Sequence, residues 1–232
     1  MDNKPFEILM YHYVDNNISD PMCVSEDNFC KQLKYLIEEG YTFLSLNDVK
    51  EIIFSNKQYK KGVLITFDDG YKNTFDTVLP ILNKYNARAT VSICGSYIKE
   101  ETCVKPTIHL SQEYGNVDDI NRWIDAGNDV AAHSYSHKKL SHLSEEDIRA
   151  EVEIDNRVLK ENINSDFECF FYPFGSVNNQ VESIVAENYK YAFVTTEGYN
   201  PSYNARYRMG RIYVRPEWDI SDFGKALAGD ER

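Results

Sequence analysis

Basic residues are scarce in this chain, and the deficit narrows its partners. Lysine and arginine number 25 against 37 aspartates and glutamates, a net charge of −12 at pH 7 with a pI near 4.9. Nucleic-acid binding draws on clustered Lys and Arg, and no basic patch is visible, so no nucleic-acid partner is expected. Long apolar runs are missing as well. Nothing approaches the ~20 apolar residues of a membrane span. Glycine (11) and proline (7) are few, and no linker, low-complexity tract or internal repeat marks a domain boundary. The five cysteines are odd in number and contain no Cys-x-x-Cys. Cys94 and Cys169 fall inside strand-like runs, where buried free thiols are common. That usage favours a reducing compartment. Met1–Glu7 shows no basic segment followed by an apolar one, so no signal peptide is read. The expectation is a cytoplasmic protein as encoded, or an extracytoplasmic one if the chain is a processed form.

What is present suits one folded domain over residues 1–232. Hydrophobic residues make up 42% and aromatics 13%, which excludes a disordered chain and supplies a large core. Seventeen tyrosines suit a sugar-facing surface, although core packing explains most of them equally well. An acidic surface around a cleft tolerates neutral or cationic substrates.

Strand-like runs cover Phe6–Tyr11, Val63–Phe67, Ala89–Cys94, Val130–His133, Phe167–Tyr172 and Tyr191–Thr195, with a weaker one at Arg211–Val214. Helical patterns fall between them. Phe29, Leu33, Leu36 and Ile37 make one apolar face, with Gly40 placed to end it. Leu46–Phe54 reads as a short helix. Phe75, Val78, Leu79 and Leu82 make another face, in which Pro80 must sit in the first turns or kink the helix. Ser144-Glu145-Glu146-Asp147 resembles a capping box that opens a helix through Leu159, and Val181–Glu187 is a further candidate. Strands alternating with helices predict parallel βα units, hence a doubly wound sheet or a barrel.

Polar residues cluster where the strands end. His12 follows the first, Asp68-Asp69-Gly70 the second, His133 the fourth and Tyr172-Pro173-Phe174-Gly175 the fifth. In a parallel barrel all would gather at the C-terminal rim, the face that carries active sites. Asp-Asp-Gly alone is most often a solvated turn, and His-x-x-x-His is as often an exposed helix face. Together they read differently. Asp69, His133 and His137 make a two-histidine, one-carboxylate set that leaves coordination positions open for water and substrate. Asp68 would be spare as a base on that water.

Thr66–Gly70, His133–His137 and Tyr172–Gly175 resemble the motifs of the polysaccharide deacetylases, carbohydrate esterase family 4. The order and spacing extend over nearly the whole chain. The resemblance implies an irregular (β/α) barrel that hydrolyses an N- or O-acetyl group from a sugar. It implies a divalent metal, usually Zn2+, on Asp69, His133 and His137, with Asp68 as the base. It also implies a backbone N–H at Phe174 that stabilises the tetrahedral oxyanion. Two features depart from the pattern. An arginine that pairs with the base aspartate is replaced by Phe171, and Arg211 is the candidate substitute. The late histidine that serves as general acid is missing, since no histidine follows His142. Leu9-Met10-Tyr11-His12 resembles that motif moved to the N-terminus by circular permutation, as in the poly-N-acetylglucosamine deacetylase-like members, which makes His12 the candidate acid. Tyr172 could face either the core or the substrate. His109 and His142 are expected at the surface, and Trp123 and Trp218 in the core or cleft wall. The expected partner is an N-acetylated glycan. The alternatives are a different ester or amide substrate, or a glycan-binding protein without turnover.

Overall fold

The parallel strands follow from apolar runs long enough to be buried on both faces. In the computed structural model, which describes residues 6–17, 20–98, 113–196 and 205–229, β1 covers Glu7–Tyr11. The short strands β2 (Tyr13–Val14), β3 (Cys23–Val24) and β4 (Thr42–Phe43) follow it. The remaining strands are β5 (Gly62–Phe67), β6 (Thr90–Ile93), β7 (Asp129–Ala132), β8 (Cys169–Phe171), β9 (Tyr191–Phe193) and β10 (Ile212–Tyr213). The main sheet runs β10-β1-β5-β6-β7-β8-β9, with β4 also beside β5, and every pairing is parallel. It curls into an open half-barrel. Among the described residues a single bridge, Phe193 to Met209, spans the gap between β9 and the approach to β10.

Strand alternation divides the core in two. Ile8, Leu64, Ala131, Cys169, Phe171, Tyr191 and Phe193 fill the inside of the curl. Leu9, Tyr11, Ile65, Phe67, Val91, Val130 and Phe170 face the surrounding helices. Helices α1 (Glu26–Glu38), α2 (Leu46–Ser55) and α3 (Leu79–Tyr85) fall where the apolar spacing predicts them. So do α5 (Glu145–Asn162) and α6 (Asn179–Asn188), while α4 (Val117–Asp125) and α7 (Ile220–Ala228) were not legible in the pattern. Helix α2 packs Leu46, Val49, Ile52 and Ile53 into the inner cluster and so plugs the N-terminal mouth. Its first turn is tied from two strands: the Leu46 N–H donates to Asp129, and the Tyr191 hydroxyl donates to the Leu46 carbonyl.

Three local expectations are refined. Ile37 is 45% exposed, because at 100° per residue it falls at the edge of the face that Phe29, Leu33 and Leu36 define. Gly40 ends α1 in the left-handed conformation, as expected. Ahead of Pro80 the chain widens into one π-helical turn, Thr74–Val78, so that Pro80 enters α3 near its start, where its missing N–H is harmless. Ser144 caps α5 by accepting from the Asp147 N–H, but its own hydroxyl rather than its backbone meets the Asp147 carboxylate.

Candidate metal centre and active site

Strand β5 delivers two carboxylates in sequence and then turns sharply. The Asp68 N–H donates to the Tyr11 carbonyl and so extends the β1–β5 ladder by one step. Asp69 and Gly70 then both adopt positive φ, +73° and +69°. A positive φ is uncommon outside glycine, and the chain spends it repeatedly here: Ser134, His137 and Phe174 share it. Gly175 also has positive φ, and a Cβ there would meet the Thr195 hydroxyl at 2.3 Å, so no other residue fits.

These turns converge three ligand atoms. Asp69 Oδ1 lies 3.3 Å from His133 Nε2 and 3.0 Å from His137 Nε2, and all three ligand groups fall within 4.8 Å of one another. Ligands held at about 2.0–2.2 Å by a tetrahedral cation stand roughly 3.4 Å apart, close to what is seen. Asp69 Oδ1 is fully buried and has no hydrogen-bond partner. The His133 Nδ1 donates to the Phe171 carbonyl at 2.7 Å, which leaves Nε2 as a free lone pair. The set fits a divalent cation. Burial pushes the Asp69 carboxyl up, but His133 and His137 outweigh it and hold it well below the usual carboxylate range. His137 is lowered by burial and raised more by Asp69, for a net upward shift.

Asp68 occupies a different environment. Arg211 donates to both of its oxygens at 2.7 Å, and the Ser92 hydroxyl donates to Oδ1 at 3.2 Å. Arg211 also donates to the Thr66 hydroxyl and the Val194 carbonyl, and lies over the Phe171 ring, 4.6 Å from its centroid. Arg211 is 1% exposed, which makes this pair an interior one. Burial raises the Asp68 carboxyl, and the charge and hydrogen bonds of Arg211 more than reverse that, so it stays ionised.

Both carboxylates open on one cleft of about 440 Å³, lined by His12, Asp68, Asp69, His133, His137 and Phe174 together with Met10, Met22, Thr195 and Tyr213. His12 is half-buried, with Nδ1 wholly buried and unpartnered. Burial lowers its pKa, with Asp68 and Asp69 pulling the other way. Phe174 is 44% exposed and packs its ring on His137 at 4.6 Å. The expected ligands Asp69, His133 and His137, with Asp68, His12 and Phe174, therefore line the cleft, and Arg211 stands behind Asp68. Tyr172 does not line it: it is fully buried in the helix-facing layer. Trp123 is core, Trp218 packs at its margin, His142 is exposed, and His109 lies outside the described residues. Sequence reasoning missed Ser92, one of two hydroxyl side chains with Thr90 in the otherwise apolar β6, and Tyr213 on β10.

Residues 55–194 match the family model described as polysaccharide deacetylase. The chain belongs to the polysaccharide deacetylase family. A Bacillus subtilis protein assigned to the polysaccharide deacetylases, YxkH, is 25% identical over 219 residues, 94% of this chain and 74% of its own. A poly-beta-1,6-N-acetyl-D-glucosamine N-deacetylase of Staphylococcus aureus is 25% identical over 195 residues, 82% of this chain and 67% of its own. Among solved structures, the Streptococcus pyogenes deacetylase PplD in complex with acetate superposes with a TM-score of 0.84 at 25% identity. That match covers 96% of this chain and 97% of PplD. Family and metal cluster together make this polysaccharide deacetylase a metal-dependent carbohydrate deacetylase, a hydrolase of acetylated sugars. No helix among the described residues is long and apolar enough to cross a membrane.

Proposed function

We propose that this deacetylase hydrolyses the N-acetyl groups of a glucosamine polymer, using Zn2+ held by Asp69, His133 and His137. When bound, the metal supplies Lewis-acid polarisation of the water and of the acetyl carbonyl. The remaining work falls to the chain. Asp68 takes the proton from the attacking water. Its Oδ1 already accepts from Arg211 and Ser92, whereas among the described residues Oδ2 accepts from Arg211 alone and keeps a lone pair for that proton. Arg211 keeps the base ionised and aimed. The backbone N–H of Phe174 faces the developing oxyanion, a role supported by its left-handed turn in the cleft wall beside His137. His12 protonates the departing amine, and its lowered pKa means that a proton it carries is given up readily.

The observation that carries the reading is the pairing of two adjacent carboxylates with opposite partners. Asp69 faces two histidines and Asp68 faces an arginine, so one is a ligand and the other a base. The S. aureus relative, a poly-N-acetylglucosamine deacetylase, and the acetate in the PplD structure support the choice of substrate. Acetate release by the zinc-loaded protein from a panel of acetylated sugars tests it. Release from N-acetylglucosamine oligomers is expected. Release from acetylxylan alone would select ester cleavage, and no release at all would select a glycan-binding protein.

A further inference from the structure

Helix α5 carries two acidic residues one turn apart on its buried face, Glu151 at 5% exposure and Asp155 at 0%. A buried carboxylate needs a reason, and Glu151 finds it in the loop that bears His137. Its Oε2 accepts from the Ser136 N–H at 2.8 Å, its Oε1 accepts from the Ser136 hydroxyl at 2.5 Å, and Lys138 pairs with Oε1 at 2.9 Å. The Glu151 carbonyl accepts from the Tyr135 N–H. One residue thus grips both chain neighbours of His137. Asp155, one turn on, accepts from the Gly95 N–H, and the Ser96 N–H bonds the Tyr135 carbonyl, so the adjoining loop is fastened to the same helix.

The loop needs such a grip. Within four residues, Ser134 and His137 both hold positive φ without being glycine, and the only bond across the turn itself that joins them runs from the His137 N–H to Ser134 Oγ. Backbone in this region persists when its surroundings over-determine it. A carboxylate is suited to the task because it accepts an N–H and an O–H at once. Gln puts an amide NH2 where one acceptor stood, which reverses the Ser136 hydroxyl bond or repels Lys138, and it loses the charge that pairs with Lys138.

We infer that Glu151 is a positioning residue for the metal site: it holds the strained 134–138 loop so that His137 Nε2 is already aimed at Asp69. The inference rests on the reading of Asp69, His133 and His137 as metal ligands. Residues that support ligands from behind typically cost about 10–100-fold in metal affinity when changed.

The test measures zinc dissociation constants by chelator competition for wild type, E151Q, S136A and R149A. Arg149 lies on the exposed side of α5, where it bridges to Glu187, so R149A loosens the helix without touching the loop. E151Q and S136A are each expected to weaken zinc binding at least tenfold, with the double variant no worse than the weaker single, while R149A binds as wild type does. The thermal shift on adding zinc should shrink in step. If E151Q does not fold, S136A reads the same contact from the loop side. Wild-type zinc affinity in E151Q or, where that fails to fold, in S136A would overturn the inference, as would equal weakening in R149A. A wild type that takes up no zinc would overturn the metal assignment itself, and the inference with it.

Discussion

Arg211 lies over the ring of Phe171, 4.6 Å from its centroid, and meets Asp68 through two hydrogen bonds of 2.7 Å. Phe171 stands where the family resemblance leads one to expect the arginine itself. The cation therefore enters from the residue just before β10 instead of from β8, and the vacated position becomes the surface on which it rests. A guanidinium tolerates this site because its faces are weakly hydrated while its edge stays a donor.

Breaking that pair should damage both stability and rate. Arg211→Met leaves a buried carboxylate alone, which typically costs about 3–5 kcal/mol. In the wild type the folded Asp68 pKa lies below its unfolded value. Its stabilisation is complete above the ordinary carboxylate range and is lost as the pH falls through that range toward the folded value. In Arg211→Met the sign inverts, since an unpaired buried carboxyl prefers its proton. Urea midpoints at pH 7 and pH 4 check this: acidification should narrow the gap between variant and wild type. A constant gap would mean that Arg211 does not set the charge of Asp68.

Asp68→Asn should keep zinc and fold while losing turnover by about 10²–10⁴-fold, the usual worth of a general base. Metal analysis and acetate release measured on one sample separate the two effects. Near-normal activity would put the base elsewhere.

His133→Ala and His137→Ala should each abolish stoichiometric zinc without unfolding the chain, as read by metal analysis and circular dichroism. Zinc at a hundred times its Kd should stabilise the wild type by about 2.7 kcal/mol and either variant by far less. Full occupancy in the His133 variant would remove that residue from the ligand set.

His12→Ala tests the displaced general acid. It should retain metal and slow cleavage of amides, whose amine must be protonated to leave. Esters with good leaving groups need no such help and should be cleaved at near the wild-type rate. Equal losses on both substrate types would assign His12 to binding or structure.

The strand-end rule made most of this site legible. Val63–Phe67 and Val130–Ala132 are apolar enough to read as buried strands, so the polar residues after them had to sit on one rim. The nearness of Arg211 to Asp68 was not readable that way, because it depends on how far the sheet curls to bring β10 beside β1. Helix α4 escaped because it is short and its four apolar residues are interrupted by three aspartates, an asparagine and an arginine, with Ile120 and Trp123 the two apolar side chains it buries. In α7, Gly224 masks the periodicity, and the reason for it is three-dimensional: a Cβ there would meet the Tyr35 hydroxyl at 2.7 Å. Nothing in the sequence separates Glu151 from the other charges of α5. Only the path of the 134–138 loop across α5 shows why it is buried.

The order of synthesis follows from the same topology. Asp68 and Arg211 are 143 residues apart in the chain, and β1 waits for β10 on one side. At roughly 5–20 residues per second, the carboxylate emerges about 7–30 s before the guanidinium that neutralises it. Until then the open end of β1 is an unpaired parallel edge, and the interior around Asp68 stays wet. The nascent protein should therefore remain protease-sensitive until β10 has left the ribosome, and then become resistant in one step. Released chains truncated at graded lengths, probed by pulse proteolysis, would show that threshold just beyond Tyr213.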